Sequence, residues 1–116
     1  MLKLSKGALH KISSGFLSYE FFEAKEDLIY DIGASLINYF GFKEQFTPAV
    51  GLDSIFWDFC RDDVKLTVGW DIWSGCFIMS HCKKGDEFIA QYQIYVTSQV
   101  YTNLKNRTHK QIPVKK

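Results

Sequence analysis

Three runs of alternating residues between positions 55 and 81 decide most of what this chain can fold into. Ile55, Trp57 and Phe59 alternate with Phe56, Asp58 and Cys60, and Val64, Leu66, Val68 and Trp70 alternate with Lys65, Thr67, Gly69 and Asp71. A period of two marks a strand with one face buried. The third run, residues 76–81, is apolar on both parities. The connectors, Arg61-Asp62-Asp63 and Asp71-Ile72-Trp73-Ser74-Gly75, are too short to carry a crossover, so the strands must run antiparallel. The first run could instead form a short helical turn.

Two helices flank this meander. Residues 25–40 place Leu28, Ile29, Ile32, Leu36, Ile37 and Phe40 on one stripe at helical spacing. Glu26 and Asp27 stand in the expected first turn, where the helix dipole favours negative charge. Gly41 follows, where a helix-ending glycine belongs. Residues 42–51, with Pro48 and Gly51, read as a loop. From Glu87 onward, Ile89, Tyr92, Val96, Val100 and Leu104 fit a second stripe, and Asp86 can cap it. Tyr92, Ile94 and Val96 also alternate as a strand would, but about eighteen residues without Gly or Pro is long for a strand. Residues 16–22 are either a lead-in turn or an extra edge strand. The expected fold is therefore α+β: a short antiparallel meander of three or four strands packed against two helices, in the order α-β-β-β-α. One sheet face would stay open, to be covered by the N-terminal segment or by a partner.

The whole chain, residues 1–116, is one domain's worth of protein, with residues 1–15 and 106–116 expected as flexible ends. No run near the N-terminus has the apolar length of a signal peptide, and no stretch approaches a membrane span. Three cysteines at irregular spacing, Cys60, Cys76 and Cys82, fit reduced thiols in a cytoplasm better than a disulfide framework.

Catalytic and cofactor motifs are sparse. A nucleophile needs an adjacent base, and only Cys82 beside His81 offers one, with neighbours on a strand pointing to opposite faces. The same residues, with Cys60 and Cys76, lack the spacing of a zinc site. The eight glycines are dispersed, so no phosphate-cradling loop is formed. The strands carry acids where a nucleic-acid reader would carry bases. A protein that is not an enzyme, binds no cofactor or metal and contacts no nucleic acid directly is the expectation.

Charge is strongly segregated. Residues 16–63 hold ten acids against three bases, whereas residues 88–116 hold five bases and no acid. Acids on short turns beside tryptophans suit the capture of a basic partner, since complementary charge speeds encounter and indoles supply anchoring area. The turn-borne candidates for that contact are Asp58, Asp62, Asp63, Asp71 and Trp73, with Glu44 as a sixth.

The segment Val64-Lys65-Leu66-Thr67-Val68-Gly69-Trp70-Asp71-Ile72-Trp73-Ser74-Gly75, then Phe77-Ile78-Met79 and Gly85-Asp86-Glu87-Phe88-Ile89, resembles small immunity proteins of bacterial polymorphic toxin and contact-dependent growth inhibition systems. The likeness spans residues 52–104. It implies a cytoplasmic antidote that binds a cognate toxin C-terminal domain, many of which are nucleases, and occludes its active site. The alternative is a structural or regulatory interaction module, a monomer or weak homodimer that buries the open sheet face.

Overall fold

The structure, a computed structural model, describes residues 7–22 and 24–111, with side chains through residue 98. Its order is β1 (Ala8–Lys11), β2 (Leu17–Phe21), α1 (Leu28–Phe40), β3 (Lys43–Glu44), β4 (Ala49–Val50), β5 (Ser54–Arg61), β6 (Val64–Asp71), β7 (Gly75–Ser80) and α2 (Lys83–Gln111). Among the described residues the strands form one antiparallel sheet ordered β1-β2-β7-β6-β5-β3, with β4 also on β5. The α+β class and the β5-β6-β7 meander are as expected. The count of three or four strands and the order α-β-β-β-α are not.

Four short strands account for the difference. Residues 16–22 yield β2, which is no edge: it lies between β1 and β7, pairing Tyr19 with Ile78 and Phe21 with Cys76. Burying Tyr19 and Phe21 completely repays the pairing, and β1 then adds to the free edge of β2. The loop expected over 42–51 touches down twice on β5, as β3 opposite Phe59 and Cys60 and as β4 opposite Ile55 and Phe56. The described part of the N-terminal segment therefore extends the sheet. Of the expected loose ends, residues 8–11 are strand and α2 continues to Gln111, while residues 1–6 and 112–116 lie outside the described residues.

Both helices pack on one face of the sheet. Leu28, Ile29, Ile32 and Leu36 of α1, with Phe88, Ile89, Tyr92 and Val96 of α2, bury against Tyr19, Phe21, Trp57, Phe59, Leu66, Val68 and Ile78. Gly41 ends α1 in the left-handed conformation at φ 74°, its amide donating to the Leu36 carbonyl. Helix α2 starts at Lys83, earlier than the spacing predicts, because Cys82 acts as its cap: its Sγ accepts the Gly85 amide at 3.3 Å. Asp86, one turn inside, instead accepts the Leu17 amide at 2.8 Å and ties α2 to β2. Between the helices, Ser35 donates to the Ile32 carbonyl, so the Tyr92 hydroxyl must be the donor in its 2.7 Å bond to Ser35. Burial first of all pushes the Tyr92 phenol upward, which keeps that donor protonated.

Cys76 sits under α1 with its thiol donating to the Lys25 carbonyl at 3.1 Å. Burial, then the nearby Asp27 carboxylate, pushes this thiol up to about 12. Because the thiolate is the reactive species, alkylation with iodoacetamide at pH 8.5 is expected to modify the half-buried Cys60 and Cys82 and spare Cys76 until the protein unfolds. Three equal rates in the folded protein would refute this packing.

Candidate protein-binding surface

Two turns stand side by side at one end of the sheet. Between β6 and β7, Ile72, Trp73 and Ser74 form a three-residue loop closed by Gly75 at φ 82°, a conformation that favours glycine. The Asp71 Oδ1 accepts the amides of Trp73 at 3.0 Å and Ser74 at 2.7 Å, which fixes the loop from inside. Between β4 and β5, the Gly51 amide donates to the Ser54 carbonyl at 2.8 Å. The Ile72 amide donates to the Asp53 carbonyl at 3.0 Å and joins the two turns.

The joined turns hold apolar side chains out in water. Leu52 is 99% exposed and Trp73 82%, with Val50, Ile72 and Phe56 also exposed beside them. Five large apolar groups at one end of a sheet exceed the scattered exposure a monomer usually shows. Their surroundings are acidic. Asp53 and Asp71 flank the turns, and Glu26 and Asp27 stand at the α1 start, close enough to act on the Cys76 thiol at the same end. The opposite end carries Lys43, Arg61, Lys65, Lys83 and Lys84 interspersed with Asp62 and Asp63.

The six residues proposed from sequence do not form one face. Asp71 and Trp73 lie on the acidic apolar end. Asp62 and Asp63 form the β5–β6 hairpin loop at the other end, about 23 Å away along the eight residues of β6. There Asp62 adopts φ 54°, and Asp63 meets the Lys84 ammonium at 2.8 Å, a hydrogen bond that lowers the Asp63 carboxyl below its usual value. Asp58 lies midway, on the uncovered face. Glu44 lies on the helix side, accepting the Trp57 indole N–H at 2.7 Å, so Trp57 is a core residue and no anchor. Sequence reasoning passed over Val50, Leu52, Ile72 and Phe56. The available signal was an apolar residue inside a turn of Gly, Asp and Ser, where the chain cannot bury it.

The uncovered face also orders a polar chain. Thr67 donates to Asp58 at 2.6 Å, and His81 Nε2 lies 2.7 Å from the same hydroxyl oxygen. A hydroxyl has one proton, so with Asp58 as its acceptor the His81 Nε2 must bear a proton and donate. The imidazole stands at the end of this chain, so it cannot relay a proton between carboxylate and hydroxyl as a triad would. Cys82 faces elsewhere, toward the Asp63 carbonyl and the Gly85 amide. Among the described residues no three His, Cys, Asp or Glu side chains gather as metal ligands, and no helix is long and apolar enough to cross a membrane.

Comparison with protein-family models, with characterised proteins and with solved structures finds no match.

Proposed function

We propose that this chain is a non-catalytic protein that captures another protein through the joined turns. In the immunity-protein reading, the partner is a basic toxin domain, a nuclease, met in the cytoplasm and blocked by the bound acidic surface. One observation carries the proposal: Leu52 and Trp73 are held out on turns tied to each other, with Asp53 and Asp71 between them. Holding these groups in place beforehand reduces the entropy lost on association. Apolar anchors supply the affinity, and carboxylates around them supply speed and register against a positive surface.

The test pairs this protein with the toxin domain encoded beside its gene. Co-expression is expected to protect cells from the toxin, and the purified pair to bind one to one. Asp53→Lys is expected to slow association about tenfold or more at low salt and to flatten its salt dependence. Asp62→Lys with Asp63→Lys, at the far end, leaves the rate within a factor of about two. Absence of protection sinks the immunity reading. A rate that falls only with the far-end pair moves the contact away from these turns.

A further inference from the structure

Among the described residues the sheet has one face without a helix, and the order of its side chains along β6 and β7 is complementary to itself. The register sets them in rows across the strands. Lys43, Cys60 and Lys65 make the first row; Asp58, Thr67, Met79, Ser18 and His10 the second; Phe56, Gly69, Phe77 and Glu20 the third; Ser54, Asp71 and Gly75 the fourth. Lysines thus occupy the first row and Asp71 the last, with Asp58 and Glu20 in the rows between. Strand β6 alone presents Lys65, Thr67, Gly69 and Asp71 in that order.

We propose that this face binds a second copy of the chain, each sheet lying over the other about a two-fold axis that runs across the strands. That operation reverses β6 over its own copy. Lys65 then faces Asp71 of the second copy, and the contact occurs twice. Met79 of one copy meets the Phe77 ring of the other, a sulfur–aromatic pairing, where that ring covers Gly69. A two-fold interface must be self-complementary in this sense.

Shape and area agree. The Phe77 ring covers Gly69, where an added Cβ would fall 2.4 Å from its Cζ, so the glycine leaves room for the ring at the centre of the face. The Phe56 ring, 6.2 Å from Phe77, adds the exposed apolar area beside it. Asp71 spends Oδ1 on its own turn amides, which leaves Oδ2 for the lysine. Strands β1, β2, β7, β6 and β5 hold 4, 5, 6, 8 and 8 residues, and about 3.4 Å per residue with about 4.8 Å between strands gives roughly 500 Å² per copy. The total of about 1,000 Å² is at the lowest end for a specific interface, so the dimer is weak and salt-sensitive. This surface shares Asp71 and Phe56 with the turn end but excludes Leu52 and Trp73, and its existence does not depend on the toxin.

Sedimentation equilibrium of the full chain tests it. The mean mass is expected to rise from 13.5 kDa toward twice that value between about 5 and about 500 µM at low salt, with the midpoint at least about tenfold higher in high salt. Lys65→Asp alone and Asp71→Lys alone each place like charges in contact twice and stay monomeric. Their one-to-one mixture restores both contacts and dimerises, and circular dichroism melts establish that each variant is folded. Trp73→Ala dimerises as the wild type does. A wild type that remains at 13.5 kDa, or a mixture that fails to associate, overturns the proposal. So does a dimer lost with Trp73→Ala and kept with Lys65→Asp, because the copies would then meet through the turns.

Discussion

Gly33→Val is expected to lower the stability of the fold by about 3 kcal/mol, although valine is the better helix former by a few tenths. Gly33 is buried in the middle of α1, where it faces the sheet. A Cβ there would lie 2.4 Å from Trp57 Cζ3, 2.8 Å from Cη2 and 3.1 Å from Phe59 Cζ. The indole cannot swing clear. Its N–H is bonded to Glu44, its ring packs 4.7 Å from Phe59 and 5.8 Å from Tyr30, and Val68 lies opposite on β6. Relief must therefore come from lifting α1 off the sheet, which loosens Ile29, Ile32 and Leu36 together. Thermal melts should show a fall of roughly 10 °C or more. Trp57→Phe frees part of the space, so the double variant is expected to cost at least about 1 kcal/mol less than the two single costs summed. Full additivity would show that the glycine and the indole do not meet.

That glycine was invisible in the sequence, whereas the stripe around it was plain. The period of the α1 stripe, the Gly41 stop and the alternation along β5 and β6 all follow from local rules, and the fold obeys them, except that α1 begins at Leu28 and not at Lys25, which puts Glu26 and Asp27 ahead of its first turn, and Ile37 of the stripe is exposed. The missed strands lack such signals. Strands β3 and β4 have two residues each, too few to display any period, and exist because the β5 edge offers them partners. Strand β1 reads Ala-Leu-His-Lys and gains its order from pairing with β2. Leu17, Tyr19 and Phe21 did alternate. Only their contact with Ile78 and Cys76 shows that they stand inside the sheet. The same distinction governs the site. Asp62, Asp63 and Asp71 look equivalent along the chain, but β6 carries its two ends to opposite sides of the molecule. Composition reports how many charges a segment holds, and register decides which of them can act together.

Trp73→Ala is expected to cost at least about 2 kcal/mol of binding to the toxin domain, a loss of roughly thirtyfold or more, with the melting temperature nearly unchanged. The separation of the two effects is the informative part. An indole that is 82% exposed makes few intramolecular contacts, so its removal leaves stability within about 0.5 kcal/mol. Its large apolar face should count only when a partner removes it from water. Asp71→Ala supplies the contrast, because that carboxylate accepts the Trp73 and Ser74 amides and holds the loop. Losing it should weaken binding through a loosened tryptophan, visible as faster depolarisation of the indole emission from the free protein. Asp71→Asn keeps the accepting oxygen and should restore the slower depolarisation while remaining slow to associate, since it lacks the charge. Calorimetry on the three variants separates anchoring, positioning and steering. If Trp73→Ala binds as the wild type does, the exposed indole is not an anchor, and the joined turns cease to be the docking site.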